Sequence, residues 1–186
     1  MNVYLARRPG YSAVAVVLHW VLALALIGIF IVGVYMSDLP LSPQRIKLYN
    51  WHKWAGITVL TLSLLRLLWR LVVRPPDLPG AVLAVMPAWQ RVAHHGTHVL
   101  LYGLFFAVPL IGWAYSSAAG HPVVLFGMWP LPDWVPKDKA LADAIKPWHG
   151  AAAFALAMLV VLHVLAALKH QFIDRDGLMD RMRLGR

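Results

Sequence analysis

Four long apolar runs, parted by polar and proline-rich stretches, organise this sequence. In the first, no charge lies between Arg8 and Asp38, and positions 12–36 are enough to cross a hydrocarbon core of about 30 Å. The second covers about 50–73, interrupted by Lys53 near its start and by Arg66 and Arg70 towards its end. The third, about 87–116, opens at Pro87, a residue suited to a first helical turn, and contains Pro109, which is expected to kink it. The fourth follows Pro147 and covers about 148–169, where charges return. Each run is predicted as one membrane-spanning helix, so the fold class is all-α, an integral membrane four-helix bundle. Arg7 and Arg8 before an apolar run also resemble a secretory signal. That run is too long, and no A-x-A-like site follows it, so it is read as a retained span.

The connections differ by side: 74–86 is proline-rich, and 118–146 is longer, with Trp129 and Trp134 suited to an interfacial segment. No repeat and no second domain is visible, so 1–186 reads as one domain. Arg7, Arg8, Arg66, Arg70, Arg74, Arg91, Lys169, Arg175, Arg181, Arg183 and Arg186 fall on one side. The other side holds Arg45, Lys47, Lys53, Lys137, Lys139 and Lys146. The excess on the first side places both termini in the cytoplasm.

Composition agrees with lipid as the solvent. The 186 residues are 60% hydrophobic and 13% charged, with a mean hydropathy of +0.64. The net charge of +9 does not point to nucleic acid, because most of the basic residues flank apolar runs and serve topology. Cysteine is absent, which excludes disulfides, thiolate zinc sites, iron–sulfur clusters and covalently attached haem. Any cofactor must be held by other ligands.

Histidine supplies them. Polar groups at membrane depth are expensive, and of the nine histidines several lie within the runs. His149 and His163 are 14 residues apart, a rise of about 21 Å with a rotation to within about 40° of the same helix face. One helix thus presents imidazoles at two depths. Antiparallel topology brings His19, early in the first span, to the level of His163, and His52, early in the second, to that of His149. Two imidazoles on opposite sides of a planar macrocycle fill the axial positions of a haem iron, whereas zinc wants four clustered ligands. Fourteen residues after His19 stands Gly33, and fourteen after His52 stands Arg66. Glycine there would let a porphyrin approach the backbone or would serve helix packing. Arginine would pair with a haem propionate or snorkel to the interface. His170 is too far along the helix to replace His163, while spacing alone leaves His98 open as a substitute for His19. His94, His95 and His121 receive no assigned role.

Seven segments together resemble the bacterial cytochrome b561 family: LHW at 18–20, WHKWAG at 51–56, LLRLLWR at 64–70, HVLLYGLFFAVPLIGW at 98–113, FGMWPLP at 126–132, KPWHG at 146–150 and LHVLAALKHQFIDRDG at 162–177. These are short di-haem membrane cytochromes related to the b subunits of hydrogenases and formate dehydrogenases. The resemblance implies two haem b groups, with His19 and His163 on the cytoplasmic iron and His52 and His149 on the periplasmic one. This selects His19 over His98. It also implies the bacterial inner membrane, and the compact length is similar to that of stand-alone members, one of which is a superoxide oxidase that reduces ubiquinone.

Bis-histidine iron offers no open coordination position, so the chemistry expected is electron transfer at haem edges. One reading is a superoxide:ubiquinone oxidoreductase. In it Arg45, Lys47, Lys53, Lys137, Lys139 and Lys146 steer the anion inward, and His98 and His170 contact quinone or carry protons. The alternative is an electron-transfer subunit serving a periplasmic dehydrogenase or small redox protein. A third, non-redox reading is a scaffold whose histidines only pack.

Overall fold

The computed structural model describes residues 10–184. Arg7, Arg8 and Arg186, counted above towards topology, lie outside the described residues. Helix α1 runs Ala13–Asp38, α2 Pro43–Val72, α3 Gly80–Val85 and α4 Ala88–Ala118. A small antiparallel hairpin of β1, Val124–Leu125, and β2, Trp129–Pro130, precedes α5, Lys139–Lys169. Four of these helices, α1, α2, α4 and α5, are long and apolar enough to cross a membrane. Helix α1 packs on α2, α2 on α4 and α4 on α5. Many large apolar side chains face outward, as Leu24, Leu71 and Val99 do at about 70% exposure. In water such a surface would aggregate; against lipid tails it needs no cover.

Two helices begin earlier than the apolar pattern implies. Helix α2 starts at Pro43 because Ser42 accepts the Arg45 amide at 3.2 Å and proline suits the first turn. Helix α5 starts at Lys139, capped by Asp138, whose side chain accepts the amides of Ala140 and Leu141 at 2.7 and 3.1 Å. Pro147 therefore lies inside α5 instead of opening it. Hydropathy finds the part of a helix that sits in hydrocarbon, and these polar first turns project beyond it. Pro109 likewise sits within α4 without ending it.

The ends of the bundle are tied by side chain to carbonyl bonds. At the end carrying the hairpin, Lys53 Nζ donates to the carbonyls of His121 and Pro122 at 3.3 and 3.2 Å, and Trp54 Nε1 donates to Val124 at 2.6 Å. Phe126 and Gly127, at φ of 54° and 74°, turn the hairpin back on itself. At the opposite end, Arg181 is buried and donates to the carbonyls of Pro76 and Asp77 at 2.9 and 2.8 Å. Trp20 Nε1 reaches Met182 O at 3.0 Å.

Candidate functional site: two imidazole pairs

The antiparallel helices bring the histidines together in two pairs. His19 of α1 and His163 of α5 have ring centroids 6.3 Å apart. His52 of α2 and His149 of α5 are 6.2 Å apart. Two metal–imidazole bonds of about 2.0 Å plus about 1.1 Å from each ring nitrogen to its centroid sum to about 6 Å. Each gap thus has the width for one metal ion held axially between two imidazoles, as a macrocycle-bound iron requires.

At the hairpin-end pair the surroundings fit that use. His149 Nδ1 lies 3.1 Å from the Val108 carbonyl, which can only accept, so Nδ1 carries the proton and Nε2 keeps its lone pair for a metal. His52 Nδ1 is buried and makes no hydrogen bond of good geometry among the described residues. Both rings border a cavity of about 870 Å³, within the size range of cofactor sites, whose lining is otherwise mainly aliphatic and aromatic. Gly33 and Gly112 press on the rings from the side. A Cβ at Gly33 would stand 3.0 Å from His52 Cε1, and one at Gly112 would stand 2.8 Å from His149 Cε1. Gly33, expected from sequence either to admit a porphyrin or to serve helix packing, leaves room for the His52 imidazole in the structure.

Gly112 was not foreseen, although a signal for it existed. It follows His98 by 14 residues, the step that separates His19 from Gly33, His52 from Arg66 and His149 from His163. Every long helix therefore carries one residue at each level. The hairpin-end level holds two imidazoles and two glycines; the other holds His19, His98, His163 and Arg66.

At that second level Arg66 Nη1 donates to Ala15 O at 2.6 Å, and Nη2 lies 3.4 Å from His19 Nδ1. The guanidinium so bridges α2 to α1 beside the imidazole. His98 stands 5.4 Å from His163 and 4.7 Å from His94 by ring centroid, with Nδ1 on the His94 carbonyl at 2.7 Å. It borders the pair. His170 lies apart among carboxylates, with Nδ1 2.6 Å from Asp176 and 3.2 Å from Asp174.

The six basic residues grouped for anion steering have different settings. Lys53 is engaged with carbonyls, Lys47 lies 4.8 Å over the Trp51 ring, and Lys139 pairs with Asp143 at 2.6 Å. Lys137 packs its stem on Gly120, and Lys146 is exposed. Arg45 lines the cavity, with Nη2 3.4 Å from the Tyr49 hydroxyl.

Known proteins share this chain's sequence along nearly its whole length. The profile of the prokaryotic cytochrome b561 family matches residues 10–185. "Cytochrome b561 homolog 2" of Escherichia coli is 34% identical over 92% of this chain and 90% of its own length. "Probable superoxide oxidase CybB" of Yersinia pestis is 31% identical over 92% of this chain and 94% of its own. "Cytochrome b562" of Cereibacter sphaeroides is 27% identical over 96% and 98%. A b-type cytochrome family implies haem b, the group whose axial demands the paired imidazoles fit. The chain belongs to the prokaryotic cytochrome b561 family and is a multi-pass membrane electron-transfer protein.

Proposed function

We propose that this protein is a superoxide:ubiquinone oxidoreductase of the bacterial inner membrane, with one haem b held by His52 and His149 near the periplasm and a second by His19 and His163 near the cytoplasm. The observation that carries its two-haem part is the near equality of the two gaps, 6.2 and 6.3 Å, at two levels of one bundle. The superoxide oxidase name of one relative adds support for the donor. A haem held by the histidine pair of either level would supply one-electron exchange.

The chain's own residues then do four things. The four imidazoles hold and orient, and Gly33 and Gly112 let two of them stand edge-on to a neighbouring helix. Arg66 fixes α2 to α1 beside His19 and offers a positive charge to a propionate at that level. Cations on the periplasmic side, among them Lys137 and Lys146, raise the local concentration of an anionic donor. His98 and His170 provide groups able to pass protons at the cytoplasmic level. Two superoxide anions leave as dioxygen after losing one electron each, and ubiquinone takes both electrons with two protons from the cytoplasmic side.

The test is stopped-flow mixing of the purified, oxidised protein with a superoxide source, followed by a soluble ubiquinone analogue. Rapid reduction of the b-haem absorbance and its reoxidation by quinone is the expected result. Haems that quinol reduces but superoxide does not would assign the donor role to a periplasmic redox protein instead.

A further inference from the structure

The cavity beside His52 and His149 is polar at one end only. Apart from the two imidazoles, its hydrogen-bonding side chains include Arg45, Tyr49, Lys53 and Trp113, all near the hairpin end of the bundle, while the remainder is mainly aliphatic and aromatic. Arg45, Tyr49 and His52 stand at positions i, i+4 and i+7 of α2, one stripe, with Arg45 about 10 Å nearer the helix start than His52. Lys53 is committed to two backbone carbonyls. The Trp113 indole N–H is different: it is buried and has no hydrogen-bond partner among the described residues. Asn50, Tyr115, Ser116 and His121 also line the cavity, but the half-buried guanidinium is its cation not committed to backbone carbonyls, and with a phenol one turn along and an orphaned indole N–H it suits a carboxylate.

Resting on the reading that a haem occupies this cavity, we infer that Arg45, with Tyr49 and Trp113, is the anchor for the propionate carboxylates of the periplasmic haem. Arg45 is then part of the cofactor site and not of a diffuse anion-attracting field. A guanidinium forms two parallel bonds to a carboxylate, which a lysine at the same place does not reproduce. The Tyr49 hydroxyl is held near Nη2 of Arg45 and keeps its own proton to donate.

The experiment measures transfer of haem from the purified protein to excess apomyoglobin, with total haem per chain followed in parallel. Arg45→Leu is expected to speed release of one of the two haems about tenfold or more, to lower the midpoint potential of that haem, and to leave the second unchanged. Lys47→Ala, which removes an exposed cation two residues away, leaves release at the wild-type rate. Arg45→Lys recovers part of the effect and Trp113→Phe reproduces part of it. Reconstitution with iron protoporphyrin dimethyl ester, whose carboxylates are blocked, abolishes the difference between wild type and Arg45→Leu. The inference is overturned if Arg45→Leu and wild type release haem alike, or if their difference persists with the dimethyl ester. A wild type binding fewer than two haems would instead overturn the underlying reading.

Discussion

Gly112 of α4 abuts the edge of the His149 imidazole so closely that a methyl group on it would lie 2.8 Å from Cε1. The ring could not stay where it is. Gly112→Ala is therefore expected to displace His149 from its place 6.2 Å from His52 and, on the proposed two-haem reading, to weaken one haem while sparing the other. Gly33→Ala, whose methyl would stand 3.0 Å from His52, should act in the same direction with a smaller effect. Gly28→Ala, with open space around it, should do nothing. Haem content and the midpoint potential of each haem, measured for the three variants, check this order.

Substituting the imidazoles separates the two levels. His52→Ala or His149→Ala should leave one haem per chain, and His19→Ala or His163→Ala should remove the other. His98→Ala should retain both, because His98 lies 5.4 Å from His163, short of the spacing at which two imidazoles can share a metal. Optical redox titration of each variant gives the count and identifies which component is lost.

On the proposed reading, Arg66→Leu should lower the potential of the haem beside His19, and it should also destabilise the fold. It removes a charge beside His19 and leaves the Ala15 carbonyl without its 2.6 Å partner, at a cost of about 1–3 kcal/mol. Arg66→Gln, which still has a donor but no charge, should recover stability more than potential. Thermal melts read beside redox titrations distinguish the two contributions.

Arg181 clasps the end opposite the hairpin through the carbonyls of Pro76 and Asp77. Arg181→Ala should reduce stability by about 1–3 kcal/mol while the haem spectrum is kept, since the Pro76 and Asp77 carbonyls it holds lie in the segment between α2 and α3 and not among the paired imidazoles. Detergent-dependent melting followed at the Soret band checks this outcome.

Some of this was legible before any coordinates. The absence of charge over 12–36 marks a lipid span, and the 14-residue step from His149 to His163 puts two imidazoles on one face at two depths. Those features depend only on helix geometry and hydropathy. The polar starts of α2 and α5 were hidden because capping by Ser42 and Asp138 is local chemistry that hydropathy does not register. Gly112 is not marked by sequence because its partner in the 14-residue step, His98, draws attention as a possible ligand or proton carrier, and a glycine carries no chemistry of its own. The donors at Tyr49 and Trp113 were invisible for another reason: only the packing of α2 against α4 brings them to the same cavity. Lys53 looked like a free cation in sequence, and its use on the His121 and Pro122 carbonyls follows from where the chain after α4 turns back.

The count of haem per polypeptide in the purified wild-type protein tests the central claim most directly, by the pyridine haemochromogen assay against quantitative amino-acid analysis. Two b-type haems per chain, resolved as two components in a redox titration, is the result that two separate imidazole pairs predict. A colourless protein, or one that saturates at a single haem when haem is supplied in excess, would contradict the account.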